Sequence, residues 1–160
     1  MSKLLKAVRP RLYLDIDGVI LAEASPFETV SLGELGEAYA PEVLSRLGNT
    51  CLELVWLTTW EHQALELSES MNGLGGGRVL RLEEYENNHQ TTPKMCALFS
   101  DQANSPSPFV WVDDLITPAA YGAVTRRLSV PKLIIQTDGK TGLNETQLLS
   151  IEQFARIYTT

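Results

Sequence analysis

Short apolar runs alternate along this chain with segments whose apolar positions recur at helical spacing. The runs are "RLYLDI" (11–16), "CLELVWLT" (51–58), "RVLRL" (78–82), "FVWVDD" (109–114) and "PKLIIQT" (131–137). Each is short and rich in branched or aromatic residues, which predicts a strand. Between them stand helical segments with clear punctuation. "PEVLSRLGN" opens on Pro41 and stops at Gly48. "WEHQALELSESMNG" (60–73) predicts a helix that runs to Gly73. "TTPKMCALFSDQ" starts with Thr92 as N-cap and Pro93 just inside, and "TPAAYGAVTRRL" repeats that Thr-Pro start. The last helix, "NETQLLSIEQFARIY", places Asn144 and Gln147 at capping-box spacing.

This alternation predicts an α/β fold with a central parallel five-stranded sheet, helices on both faces and right-handed crossovers. The strands lack polar alternation, as strands covered on both sides do. "LGGGR" (74–78) leads into a strand and does not join a strand to a helix, so it reads as a flexible turn and not a phosphate loop. The longest non-helical segment, 22–40, follows the first strand and is expected to form a small flap over the site. Residues 1–160 otherwise read as a single domain, without repeat or linker.

Composition narrows the function classes. Apolar residues make up 44%, too many for a disordered chain. The net charge is −7 and no long basic run occurs, which excludes a broad cationic face for duplex nucleic acid. A local site for one phosphate group remains open. Cys51 and Cys96 form no CxxC pair and are expected to be free, buried thiols in a reducing compartment. The basic N-terminus continues into no unbroken apolar stretch, and no segment approaches the roughly 18 apolar residues that span a bilayer. A soluble, cytoplasmic protein with no membrane partner is expected.

The polar residues then fall in one place. Ligands of parallel sheets bind at the carboxyl ends of the strands. Asp15 and Asp17, followed by Gly18, stand at that end of the first strand; Thr58 and Thr59 end the second; Asp113 and Asp114 end the fourth. Lys94 opens the helix that leads into the fourth strand. Carboxylates gathered in one crevice repel one another unless cations are present. Lys94 supplies one, and a hard divalent metal with oxygen ligands, Mg²⁺ in the first place, supplies the other. Metal, lysine and backbone N–H groups together suit a phosphoryl group, and a carboxylate beside it can act as nucleophile through an aspartyl-phosphate. An EF-hand is rejected, because Val19 and Pro26 stand where ligands would be needed.

The set "YLDIDGVI", "VWLTTW", "TPK" and "FVWVDD", in this order, resembles the haloacid dehalogenase (HAD) superfamily over about residues 11 to 155. The resemblance implies a three-layer, Rossmann-like fold and a role for each acid. Asp15 matches the nucleophile. Asp17 matches the general acid/base, with a backbone carbonyl that ligates Mg²⁺. Thr58 matches the hydroxyl that holds the phosphoryl oxygens, and Lys94 the cation that neutralises nucleophile and phosphate. Asp113 matches a Mg²⁺ ligand and Asp114 a direct or water-mediated one. An acid at position 17 marks phosphatases and phosphotransferases and speaks against halide chemistry. More narrowly, "WLTTWEHQA", "FVWVDD" and a late "TGLN" resemble HAD domains fused into bacterial RNA-repair proteins, which implies a phosphorylated nucleic-acid end as substrate.

Blander readings compete at several positions. Asp-Gly at 17–18 also suits a turn, Thr58 a strand end, Thr59 and Asp114 helix caps, and Lys94 an ordinary surface position. Gly18, Thr59, Trp60 and His62 are the candidates for contact with substrate, while Trp56 and Trp111 read as core. Neither place where relatives insert a cap domain has room for one here. No folded cap is therefore expected. The open cleft would admit a bulky substrate, such as a phosphoprotein or a nucleic-acid terminus, unless oligomerisation closes it. The expected function is Mg²⁺-dependent phosphomonoester hydrolysis. An end-processing module in RNA or DNA repair and a non-catalytic HAD-like binding protein are the alternatives.

Overall fold

A computed structural model of the chain describes residues 8–32, 37–71, 74–85 and 92–159. Five parallel strands form the central sheet: β1 (Arg11–Leu14), β4 (Glu53–Trp56), β5 (Arg78–Val79), β6 (Phe109–Asp113) and β7 (Lys132–Gln136). Their order across the sheet is β5-β4-β1-β6-β7. β1 is therefore flanked by β4 on one side and β6 on the other, with Leu12 level with Leu54 and Val110. The chain winds in opposite directions away from β1, which opens a crevice at its carboxyl end.

Side chains alternate across this sheet. Leu12, Leu14, Trp56, Val110 and Val112 pack with α1 (Pro41–Gly48) and α5 (Glu145–Tyr158). Tyr13, Val55, Phe109 and Trp111 pack on the other face with α3 (Pro93–Asn104) and α4 (Pro118–Arg127). The sheet is thus apolar on both faces, as the unbroken runs required. Trp56 and Trp111 are core residues. The caps also follow the sequence: Thr92 and Thr117 accept backbone N–H groups at the starts of α3 and α4, and Asn144 and Gln147 form a reciprocal capping box on α5.

The segment after β1 carries a two-stranded antiparallel hairpin, β2 (Val30–Leu32) and β3 (Glu37–Tyr39). It is tied to the body by a hydrogen bond from the Ala22 N–H to Ala38 O and by burial of Tyr39 and Ala40. No folded cap is present among the described residues, and none of their helices is long and apolar enough to cross a membrane.

Several boundaries and exposures differ from expectation. The second strand ends at Trp56, and α2 (Gln63–Ser70) begins later than Trp60, because residues 59–62 form a turn with Glu61 at φ +48°. The expected end at Gly73 lies outside the described residues. β5 stops after Val79 because the next segment bends towards the crevice, where the Leu82 N–H finds the Glu61 carboxylate. The cysteines are free, but Cys51 is exposed and Cys96 half-buried, so neither is the buried thiol expected. Cys51 sits in the left-handed turn between α1 and β4, at φ +62°.

Candidate active site

The sheet brings four of the expected residues together. Asp15 follows β1 directly, Asp113 closes β6, Asp114 comes next, and Lys94 is the second residue of α3. Lys94 Nζ bridges Asp15 Oδ2 at 2.9 Å and Asp113 Oδ2 at 2.7 Å. The other oxygen of each acid accepts a backbone N–H: Ile16 N–H to Asp15 Oδ1 at 2.8 Å, and Leu115 N–H to Asp113 Oδ1 at 3.0 Å. Both carboxylates are buried and rotationally fixed.

Charge at this point is out of balance. Burial and then the neighbouring Asp15 push Asp113 up to about 7, although Lys94 pulls in the other direction. Burial works to lower the Lys94 pKa, but Asp113 and Asp15 outweigh it and raise it above the ordinary value. Oxygens of Asp15, Asp113 and Asp114 lie within 4.8 Å of one another. Oxygens around Mg²⁺ at about 2.1 Å stand no more than about 4.2 Å apart, so a small side-chain adjustment would close the set. Three carboxylates facing one ammonium, one of them pushed up by its neighbours, fit a hard divalent cation.

Asp114 is held in place by what surrounds it. A Cβ at Gly18, whose φ is +72°, would lie 2.5 Å from Asp114 Oδ2, and one at Gly139 would lie 3.1 Å from the same atom. The Gly18 N–H is spent on Leu21 O at 2.8 Å, and its carbonyl accepts from Thr137 Oγ1 at 2.6 Å. Gly18 therefore shapes the loop. A Gly18→Ala change should cost about 2 kcal/mol or more, from left-handed backbone strain plus the clash. It should also weaken divalent-metal binding. Urea melts and calorimetric metal titration check both; a variant unchanged in both would remove this account of Gly18.

The remaining expected residues divide. Asp17 is exposed and lies outside the carboxylate trio; its Oδ2 accepts the Trp60 indole N–H at 3.0 Å. Thr58 is fully buried, and its Oγ1 accepts the Trp60 backbone N–H at 3.3 Å. Thr59 is exposed, is not the N-cap of α2 and lines the groove in front of Lys94. His62 occupies the N-cap position of α2 without capping it. Asp114 is not a helix cap, since Thr117 caps α4.

The groove holds about 580 Å³, and its walls include Glu61, Leu82, Tyr85 and Leu115 beside Lys94 and Asp113. Nothing in the linear pattern of Leu82, Tyr85 or Leu115 marked them. Leu115, directly after the acid pair, is 73% exposed, a feature that only the structure shows. A second cavity of about 460 Å³ lies at the opposite edge of the sheet. Its arginines are already engaged, Arg9 on the Cys51 and Leu52 carbonyls and Arg78 on Glu53 and Asp101.

A parallel sheet with Asp15 and Asp17 after its central strand, threonines after the next, a lysine at a helix start and an acid pair after β6 defines a HAD-superfamily domain, a class of hydrolases and phosphatases. The chain belongs to the family described as the HAD domain in Swiss Army Knife RNA repair proteins, whose model matches residues 11–148. That span contains every strand of the central sheet and every site residue named above. No curated protein and no solved structure matches the chain.

Proposed function

We propose that this domain is a Mg²⁺-dependent phosphomonoesterase that works through an aspartyl-phosphate on Asp15. The observation that carries this reading is the Lys94 bridge between Asp15 and Asp113 at the floor of an open groove, with Asp114 completing the acid set. Asp15, Asp113 and Asp114, with the Asp17 carbonyl, would hold the metal. When bound, the metal neutralises phosphoryl charge and so lowers the barrier to attack by an anion.

The chain's own groups do the rest. Asp15 forms a bond to phosphorus as the ester P–O bond breaks, and Asp17 gives its proton to the leaving oxygen. Asp17 then takes a proton from the water that attacks the aspartyl-phosphate, which releases phosphate and restores Asp15. Lys94 holds Asp15 aligned and offsets phosphate charge. Thr59 is the hydroxyl that lines the groove, while Thr58 shapes the turn behind it.

The family's description supports a phosphorylated nucleic-acid end as the substrate, and the open groove supports a bulky one. Glu61 and Glu83 on the groove wall disfavour a run of further phosphates there. A single terminal phosphate would enter with its chain leading outward. A cytoplasmic setting, expected from cysteine usage, goes with this reading. A binding-only role is disfavoured by the intact pairing of Asp15 with Lys94.

The test is phosphate release from mononucleotides, sugar phosphates, phosphopeptides and end-phosphorylated oligonucleotides, with Mg²⁺ and with EDTA. Metal-dependent release that favours oligonucleotide ends is expected. A folded, Mg²⁺-supplied protein that releases nothing from the panel would sink the reading; preference for a free mononucleotide would sink only the bulky substrate.

A further inference from the structure

Asp17 is exposed, two residues after Asp15, yet it is not free to turn. The Trp60 indole N–H donates to Asp17 Oδ2 at 3.0 Å, across 43 residues of sequence. Trp60 is itself firmly seated. Its ring is partly buried against the core, and its backbone N–H reaches Thr58 Oγ1 at 3.3 Å. Its carbonyl accepts from Gln63 N–H at 3.0 Å. The turn that carries it is locked by Glu61. That residue holds φ +48°, gives its N–H to Thr58 O at 3.1 Å and accepts the Leu82 N–H on its carboxylate at 3.2 Å. A non-glycine residue keeps a left-handed backbone only where its surroundings over-determine it. The chain thus builds a stiff turn to present one indole N–H to one carboxylate.

We infer that Trp60 is a positioning residue that decides which oxygen of Asp17 carries the transferable proton. An indole N–H donates and never accepts. In the protonated acid the carbonyl-type oxygen is the better acceptor, so the hydrogen bond selects Oδ2 for that part. The proton then sits on Oδ1, turned away from Trp60. When the ester P–O bond breaks, that proton moves from Oδ1 to the leaving oxygen. The same N–H then stabilises the carboxylate left behind, because hydrogen bonds to charged groups are the stronger ones. This inference rests on the phosphatase reading, and it assigns Trp60 a task other than contact with substrate.

The test compares kcat and KM of wild type and Trp60→Phe on p-nitrophenyl phosphate and on glycerol phosphate. Phenylalanine keeps the packing and loses the N–H. An alkoxide needs the proton far more than nitrophenolate does. The kcat/KM on glycerol phosphate, which ends at departure of the leaving oxygen and excludes the water step common to both esters, should fall by about tenfold or more, the worth of one hydrogen bond to a charged group. On the aryl ester it should fall by less than about threefold. Equal losses of kcat/KM on the two esters overturn the positioning role while leaving the phosphatase reading intact. A protein that hydrolyses neither ester overturns both. Turnover aside, the Trp60 indole N–H resonance should move in Asp17→Ala, with Trp60→Phe identifying the peak. A resonance that stays put removes the hydrogen bond on which the inference stands.

Discussion

Asp15→Asn should reduce phosphate release by more than about a thousandfold while the protein stays folded, since loss of a covalent nucleophile is rarely compensated by its neighbours. The fold should tolerate the change for a specific reason. The amide oxygen can still accept the Ile16 N–H that Asp15 Oδ1 takes at 2.8 Å. Lys94 keeps Asp113 at 2.7 Å. The substitution removes the like charge that helps push Asp113 up to about 7, which offsets the new amide NH2 group facing the Lys94 ammonium, donor to donor. The melting temperature should therefore stay about the same. Initial rates at saturating Mg²⁺, paired with thermal melts, read both quantities. Full activity in a folded variant would remove the aspartyl-phosphate, and an unfolded variant would show that Asp15 serves the core first.

What was legible in the sequence, and what was not, follows from how each feature is encoded. The sheet was legible because strands covered on both faces must be apolar at nearly every position, as "FVWVD" at β6 is. The clustering of Asp15, Lys94, Asp113 and Asp114 was legible because β-α alternation forces strand ends to one edge. The start of α2 was not. A helical reading of "WEHQALELSES" is natural from spacing alone, yet Glu61 takes a left-handed backbone and delays the helix to Gln63. That choice is tertiary: the Glu61 carboxylate caps the Leu82 N–H, on a segment 21 residues away. The same turn decides the fate of the two threonines. Thr58 is drawn into the core and Thr59 is left on the groove, the reverse of what a strand-end hydroxyl suggests. Contacts of this kind depend on where a turn places its side chains, and periodicity holds no record of that.

Lys94→Met should be the most destabilising change to the site that leaves the core packing largely in place. The methionine fills much of the lysine's volume but leaves Asp15 and Asp113 facing each other without their shared ammonium. Removing one partner from a buried ion pair costs roughly 3–5 kcal/mol, because the remaining charge is stranded. The cost should depend on pH. In the wild type, Asp113 stands at about 7, raised by burial first and by Asp15 second, with Lys94 opposing both. Without Lys94 it must rise further. A carboxyl whose folded pKa exceeds its unfolded value contributes stability that is full below about 4 and is lost as pH climbs through the folded value. Wild-type loss from Asp113 should be complete just above neutrality. In the variant it should continue into the alkaline range, at no more than about 1.4 kcal/mol per pH unit, the slope for one proton. Metal-free urea melts at pH 5, 7 and 9 should therefore show the two proteins diverging as pH rises. Phosphate release should fall by more than about a hundredfold at any pH, since a divalent metal restores charge to the acids but not the lysine's hold on Asp15. Parallel stability curves would mean that Asp113 carries no strained charge, and near-normal turnover would mean that the bridge at 2.9 and 2.7 Å serves the fold and not the chemistry.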